Sequence, residues 1–350
     1  MTGGMGRLSV LFVVPRFHPN LFVATRALVE AGHRVTVMAD ATGPSEDHSV
    51  VQPVVLGRAP GAAAVARSVE TARPDLVFLR NTSKLKEEAA RAARRSGAAL
   101  WYYDLRPLTE QARWTKRLRR RLAGLPLRRV TPVPGLDAEA PADPLARYLP
   151  WPVARDPAVP LARGDGPVTV ICVGKLSQPR KNLHLAIEAL RDPGRAGRAR
   201  LQLVGTTDRR ASGHDARYLA HLEAAAQAES WIELHRDVPL AAMPALYAAA
   251  DICVMPSIDE PLGYAPVEAM AYGAVPVIST AAGSAGYLTE GRDGVRVDID
   301  APGALDTALH QLVNDAPYRA RLAAGARATA ESELSPARFL ERIEALAAEG

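Results

Sequence analysis

The chain has few cysteines and no long hydrophobic run. Its 350 residues include only Cys172 and Cys253, each inside an apolar stretch. Neither thiol belongs to a disulfide framework or a metal-site spacing, so both are expected to be reduced and buried. The early apolar run from Leu8 to Pro15 is much shorter than the roughly 20 residues of a membrane-spanning helix, and it lacks the pattern of a secretory signal. These absences predict a soluble, cytoplasmic protein.

Aromatic residues and lysines are also scarce. Aromatics make up 5% of the chain, and arginine supplies nearly all of the basic charge. The net charge of +5 and the isoelectric point of about 9.3 favour partners with anionic groups, but they carry no information on the fold. The five lysines are Lys84, Lys86, Lys116, Lys175 and Lys181.

Short apolar segments alternate with helical patterns in both halves of the chain. This alternation predicts parallel β-sheets with helices on both faces. The predicted strands of the first half are Leu8–Val14, Val35–Met38, Leu76–Leu79 and Ala98–Tyr103. Those of the second half are Val168–Val173, Leu201–Val204, Trp231–Leu234, Ile252–Met255, Val275–Ile278 and Val295–Val297.

A proline-rich stretch, residues 138–167, separates the two halves. A chain of this length is expected to form two domains, here residues 1–155 and 156–350, and the final helix can pack back on the first domain. The fold class predicted is α/β, with two doubly wound, Rossmann-like domains that face each other across a cleft. Ligands bind such sheets at the carboxyl ends of the strands.

One motif of the second half combines two glutamates with a tight turn. It runs from Glu260 through Pro-Leu-Gly-Tyr-Ala-Pro-Val to Glu268 and follows the predicted strand Ile252–Met255. The backbone amides between the glutamates lie near a predicted helix start, where an anion is favoured. Each carboxylate can accept hydrogen bonds from two neighbouring hydroxyls, which suits a sugar diol. The alternative is a solvated loop charge and a helix-dipole partner. The amides belong to Leu262, Gly263 and Tyr264.

A second motif follows the first strand of the second half. Gly174 permits close approach of a ligand, and Lys175, Arg180 and Lys181 follow within seven residues. These cations can neutralise the two phosphates of a nucleotide diphosphate, although a solvated basic loop is the ordinary alternative.

Together with Pro244-Ala-Leu-Tyr-Ala-Ala-Ala-Asp251 and Gly273-Ala-Val-Pro276, these motifs resemble the retaining nucleotide-sugar glycosyltransferases of family 4, which have the GT-B architecture. The resemblance covers roughly residues 165–330. It implies that Lys175 and either Arg180 or Lys181 bind the donor diphosphate. It further implies that Glu260 meets the donor sugar and Glu268 the ribose, and that no metal or other cofactor is required.

The first half departs from that family's pattern. The loop after the first strand contains Arg16 and His18 in place of a glycine pair, and Tyr103-Asp104 stands where relatives have His-Asp. Arg16 or His18 can reach the cleft from the carboxyl end of the strand. Asp104 can orient a donor hydroxyl or accept the acceptor proton, or it can cap a turn.

The segment from Arg113 to Arg129 is basic and contains no acid. Trp114, Leu118 and Leu122 recur at helical spacing, so the segment is amphipathic. It can bind an anionic membrane surface or a phosphorylated acceptor, or its apolar stripe can pack on the first domain and leave the arginines in solvent. With little aromatic content, it does not suit nucleic acid.

The function expected is transfer of a sugar, with retention, from a nucleotide-diphosphate sugar to a hydroxyl of a natural product, lipid carrier or glycan. The alternatives are a non-catalytic relative that binds nucleotide sugars, and a membrane-associated protein that acts through residues 113–129. Asp298-Ile-Asp300 and Gly283-Ser-Ala-Gly286 lack the context of a metal site or a dinucleotide fingerprint.

Overall fold

The computed structural model describes residues 6–43, 46–80, 83–137, 139–207 and 213–349. The chain forms two compact units. The first unit contains Met1–Pro134, Ala138–Pro152 and Leu334–Gly350, and the second contains Gly135–Asp137 and Val153–Glu333. Apart from Gly135–Asp137, the chain therefore enters the second unit at Val153, and its last residues return to the first.

The first unit is built on a parallel sheet of seven strands, with the spatial order β3-β2-β1-β4-β5-β6-β7. The central strands β1 and β4 are buried along their whole length, because helices cover both faces of the sheet. The strands are Ser9–Val14 (β1), Arg34–Ala39 (β2), Val54–Val55 (β3), Leu76–Leu79 (β4), Ala99–Tyr103 (β5), Arg129–Thr131 (β6) and Ala146–Tyr148 (β7).

Four helices of this unit connect its strands. Ser83 begins the third by accepting a hydrogen bond from the amide of Leu85 at 3.3 Å. The helices are Pro19–Glu30 (α1), Ala62–Ala72 (α2), Lys84–Arg95 (α3) and Trp114–Leu122 (α4).

The second unit has a parallel sheet of six strands, in the order β10-β9-β8-β11-β12-β13. The chain proceeds outward from β8 in one direction and then continues from β11 in the other, so the order reverses between these two neighbours. The strands are Val168–Val173 (β8), Ala199–Gly205 (β9), Ile232–Arg236 (β10), Ile252–Met255 (β11), Val275–Ser279 (β12) and Val295–Val297 (β13).

The helices of the second unit bury apolar side chains against this sheet. The residues Asp192-Pro-Gly belong to the short α6, because Pro193 is accepted within a first turn. The helices are Leu183–Ala189 (α5), Arg191–Arg195 (α6), Ala216–Ala228 (α7), Met243–Ala249 (α8), Ala265–Met270 (α9), Ala304–Asn314 (α10) and Ala316–Glu333 (α11).

The last helix, Pro336–Ala348 (α12), belongs to the first unit and packs against α1. It buries Phe339, Ile343 and Leu346, and the indole Nε1 of Trp101 donates a hydrogen bond to the carbonyl of Leu346 at 3.3 Å. Its apolar spacing of three and four residues explains why this helix completes the core of the first unit.

The apolar stripe of helix α4 does not pack on the first domain, which was one of the two alternatives expected from the sequence. Trp114, Leu118 and Leu122 are 74%, 47% and 79% exposed. Arg120 is buried instead, because its guanidinium lies 3.8 Å from the centre of the Tyr102 ring. In the part of the chain that the structure describes, no helix is both long and apolar enough to span a bilayer.

Candidate functional site

Two loops meet at the carboxyl ends of β8 and β11. These strands are hydrogen-bonded neighbours, and the strand order reverses between them, which is where ligands bind in doubly wound sheets. The amide of Ile258 donates to the carbonyl of Arg180 at 2.9 Å, and Asn182 Nδ2 donates to the carbonyl of Pro256 at 3.1 Å. The two sequence motifs therefore form one site, and Asn182 joins the loops rather than capping α5 with its side chain.

The centre of this site is a cluster of one carboxylate and two cations. Glu260 Oε2 accepts a hydrogen bond from Arg180 Nη1 at 3.0 Å and another from Lys181 Nζ. Burial alone would raise the pKa of Glu260, but Lys181 and then Arg180 outweigh it and hold the pKa below its ordinary value. The cluster thus concentrates positive charge around an ionised carboxylate.

The turn after Glu260 requires a left-handed backbone conformation at position 263, which favours glycine. Gly263 has φ +70°, and a Cβ atom there would lie 2.3 Å from Met255 Sδ and 2.8 Å from Glu260 Cγ. The amides of Leu262 and Gly263 donate to no group in the described chain. Both are therefore available to an anion. Tyr264 follows as the residue that precedes α9.

Glu268 lies in the first turn of α9 and is half-buried. The Tyr247 hydroxyl donates to Glu268 Oε2 at 2.7 Å, which leaves the other carboxylate oxygen for another partner. Burial raises the pKa of Glu268, while this hydrogen bond lowers it in part. Tyr247 thus fixes the orientation of Glu268. Its place in the Tyr-Ala-Ala-Ala-Asp motif was the one sequence signal for this contact.

The loop after β8 lies close to the next strand. A Cβ atom on Gly205, the last residue of β9, would come within 1.5 Å of the Gly174 carbonyl oxygen. A Cβ on Gly174 would lie 3.4 Å from the Lys181 side chain. Lys175 is exposed at the rim and has no ion-pair partner within the described residues. Gly205 was not recognised in the sequence, although a glycine that ends a strand is the usual sign of such an approach.

The first unit has its own point of strand reversal, between β1 and β4. His18 begins α1, and its Nδ1 accepts from the amide of Asn20 at 3.4 Å. Part of the His18 side chain is exposed, but the surrounding protein removes much of its solvation. This desolvation, and then the guanidinium groups of Arg80 and Arg16, lower the pKa of His18 to about 4. His18 is therefore neutral at physiological pH. Arg16 pairs with Glu46 at 2.9 Å.

Asp104 is enclosed by arginines. Its carboxylate accepts from Arg106 at 2.7 Å, from Arg129 at 3.2 Å and from Arg120 at 3.4 Å. Arg129 also pairs with Asp143 at 3.1 Å, and it is only 1% exposed. With both oxygens occupied by guanidinium groups, Asp104 is arranged to hold arginines in place rather than to accept a proton.

The Asp298-Ile-Asp300 motif and the two cysteines have structural roles. Asp298 Oδ1 accepts from the amide of Asp300 at 3.1 Å, which is a local turn contact. Both cysteines are buried, and burial raises the pKa of the Cys172 thiol to about 12.

Comparison with known proteins agrees with this architecture. Residues 167–315 match the family model of "Glycosyl transferases group 1". Over 88 residues, 24% of this chain and 19% of the relative, the chain is 43% identical to a D-inositol 3-phosphate glycosyltransferase of Salinispora arenicola. It is 32% identical over 161 residues to the lipopolysaccharide core biosynthesis glycosyltransferase LpsE of Rhizobium meliloti, covering 45% of this chain and 43% of that protein. The matches thus span about a fifth to two fifths of these curated relatives.

Solved structures extend the similarity to nearly the whole chain. Alr3699/HepE of Anabaena, in complex with UDP and glucose, superposes with a TM-score of 0.70 at 19% identity, over 97% of this chain and 99% of that one. Sucrose-phosphate synthase of Thermosynechococcus elongatus gives 0.71 at 17% identity, over 98% and 99%. Residues 167–315 are therefore similar to the group 1 glycosyltransferases, and the two parallel-sheet units have the GT-B fold.

Proposed function

We propose that the protein is a glycosyltransferase that moves a sugar from a nucleotide-diphosphate sugar to a hydroxyl group of an acceptor. The observation that carries this proposal is the cluster of Arg180, Lys181 and Glu260 at the strand reversal of the second unit. It offers cations for a diphosphate and a carboxylate for sugar hydroxyls side by side. The complexes of Alr3699/HepE with UDP and glucose support a donor of this class.

The diphosphate fits the basic side of the site. Lys181 and Arg180 are within hydrogen-bonding distance of a single carboxylate oxygen, so their charges converge on one point where a phosphate oxygen can replace it. Lys175 and the amides of Leu262 and Gly263 add further donors. Such groups also stabilise the charge that develops on the leaving phosphate.

The two glutamates suit the neutral parts of the donor. Glu268 has one oxygen committed to Tyr247, and its other oxygen can accept from a ribose hydroxyl. Glu260 is released from its cations when the diphosphate binds them, and it then accepts from hydroxyls of the donor sugar. Donor binding is thus an exchange of ion pairs within the site.

In the reaction, the bond between the anomeric carbon and the phosphate oxygen breaks, and the acceptor oxygen bonds to that carbon and gives its proton to an oxygen of the leaving diphosphate. The nucleoside diphosphate leaves with the electron pair of the broken bond. We propose net retention without a metal ion, as the resemblance to family 4 implies, with the positive charges of Lys181 and Arg180 stabilising the leaving group. The neutral His18 of the first unit can accept a hydrogen bond from an acceptor hydroxyl.

The first test is a thermal-shift screen of the protein against nucleoside diphosphates and their sugars. A ligand that binds only the folded state stabilises it by about 2.7 kcal/mol at one hundred times its Kd. Stabilisation by one nucleotide is expected, and Glu268→Ala should abolish most of it because the ribose partner is removed. Glu331→Ala is the matched control, since Glu331 is exposed on α11.

The same screen, combined with an assay of sugar transfer and donor hydrolysis, distinguishes the alternatives. Equal nucleotide affinity in Glu268→Ala and the parent protein would contradict the assignment of the ribose site. Donor binding without transfer or donor hydrolysis, over a broad set of acceptors, would identify the protein as a non-catalytic relative that binds nucleotide sugars.

A further inference from the structure

Helix α4 is oriented by a buried arginine. Of its nine residues, all described, only Arg120 is buried. The Arg120 guanidinium stacks on Tyr102 and pairs with Asp104 at 3.4 Å. Because Asp104 is itself held by Arg106 and Arg129, the inward face of α4 is anchored to β5 and β6. The opposite face is consequently directed to solvent.

That outward face is apolar. Trp114, Leu118 and Leu122 are spaced by four residues, so they form one stripe about 200° around the helix from Arg120. All three are exposed, Trp114 and Leu122 by about three quarters. A soluble surface rarely presents a tryptophan and two leucines side by side unless something covers them.

Basic side chains border this stripe. Arg121 lies beside it on one flank and Arg119 on the other, and both are exposed. The chain contains no acidic residue between Glu110 and Asp137, so no carboxylate of this segment offsets the charge. We call the stripe and its two arginines the Trp114 surface: Trp114, Leu118, Arg119, Arg121 and Leu122.

We propose that the Trp114 surface docks on an anionic lipid bilayer, with α4 lying in the plane of the membrane interface. Exposed apolar side chains flanked by arginines match the two layers of such an interface, which are acyl chains below and negative headgroups above. Tryptophan is the residue that favours this depth. A free phosphate ion would use the arginines but leave the apolar stripe in water, so the bilayer accounts for both observations.

The experiment uses the full chain and vesicles of phosphatidylcholine with or without phosphatidylglycerol. Trp101, Trp151 and Trp231 are buried, so a blue shift of tryptophan emission on vesicle addition reports on Trp114. We expect the shift and co-sedimentation with anionic vesicles, and we expect both to weaken as salt screens the arginines. No donor or acceptor is present, so the outcome is independent of the proposed transferase activity.

Two double variants separate the contributions. Trp114→Ser with Leu122→Ser should lose co-sedimentation. Arg119→Gln with Arg121→Gln should weaken binding about 30-fold, as expected for two basic side chains at an anionic surface. The matched control is Arg94→Gln with Arg95→Gln, which makes the same change in charge at exposed positions of α3 and should bind as the parent does.

Three results would overturn the proposal. These are the absence of binding to anionic vesicles at low salt, equal loss of binding in the α3 control, and equal binding to vesicles of phosphatidylcholine alone. A concentration-dependent dimer that the Trp114 and Leu122 variant dissociates, without vesicle binding by the parent, would assign the surface to a second copy of the chain instead.

Discussion

At the scale of single residues, Glu260 is the group with two roles. In the free protein it neutralises Arg180 and Lys181, and its own pKa is held low by them. In the proposed donor complex the diphosphate takes those cations. The same carboxylate therefore stabilises the empty site and competes with the ligand, which makes its removal informative.

Glu260→Gln is expected to destabilise the free protein, yet to bind a nucleoside diphosphate without sugar as tightly as the parent or more tightly. Lys181→Ala removes a charge-assisted contact and should weaken the same binding by about tenfold or more. Isothermal titration calorimetry measures both. Equal weakening in the two variants would show that Glu260 does not compete with the diphosphate.

The effect of Glu260→Gln on the free energy of unfolding has a predictable pH dependence. Because the folded-state pKa of Glu260 is lowered, its ion pairs stabilise the protein above the ordinary carboxyl pKa, and this contribution is lost as the pH falls through the lowered value. The stability difference between the parent and Glu260→Gln should be largest near neutral pH and should disappear in acid. Urea midpoints of both proteins across a pH series measure it, and a difference that grows in acid would contradict the sign.

At the scale of elements, the buried apolar strands were predictable, whereas most strands of only two or three residues were not. The predictions of β4, β8 and β11 agree with the structure to the residue, because these strands are largely buried and the apolar run ends where the strand ends. The prediction of β13 also agrees, although only Val297 of that strand is buried. The short strands β3, β6 and β7 were missed. Strand β6 begins with Arg129, whose burial depends on partners elsewhere in the chain.

The candidate site likewise has features that the sequence predicts and features that it does not. Both of its loops were predicted, since each follows an apolar strand and contains glycine, proline and charge. The pairing of Lys181 with Glu260 was not, because 79 residues separate them and only the strand order brings β8 beside β11. The ion pairs of Asp104 were not predictable either, because the sequence does not indicate that three arginines converge on it.

The substitution Arg129→Ala tests the network of ion pairs and hydrogen bonds beside β5 and β6. The Arg129 guanidinium pairs with Asp104 and Asp143 and donates to four backbone carbonyls, so Arg129→Ala removes these contacts and leaves the buried Asp143 without its cation. We expect a loss of about 3–5 kcal/mol in the unfolding free energy of the first unit, measured by urea unfolding. The neighbouring Arg128 is exposed, and Arg128→Ala should cost under about 1 kcal/mol. Similar losses in both variants would argue against a buried network.

At the scale of the whole molecule, the two units are expected to be separable in stability. Phe339 of α12 is buried in the first unit, whereas Glu260, Glu268 and the basic loop all lie in the second. Phe339→Ala should destabilise the first unit by about 3–5 kcal/mol, which lowers its unfolding temperature on the order of 10 °C. Nucleotide affinity measured below that transition should stay unchanged.

Differential scanning calorimetry with and without nucleotide checks this expectation. The nucleotide should raise the transition of the second unit equally in the parent and in Phe339→Ala, with Phe339→Leu as the milder control. Loss of nucleotide binding in Phe339→Ala at a temperature where the first unit is still folded would show that the donor site depends on the first unit.

The internal salt bridges of Glu260 also bear on how the protein behaves among the many small anions of a living cell. The carboxylate of Glu260 is tethered to the chain, so its effective concentration beside Lys181 and Arg180 is high. A lone inorganic phosphate or sulfate must displace this carboxylate and gains few other contacts when it does. A nucleotide that also engages Glu268 and the loop amides has more contacts with which to displace it. We therefore expect the empty site to be protected from occupation by abundant ions, because the competing carboxylate belongs to the chain itself.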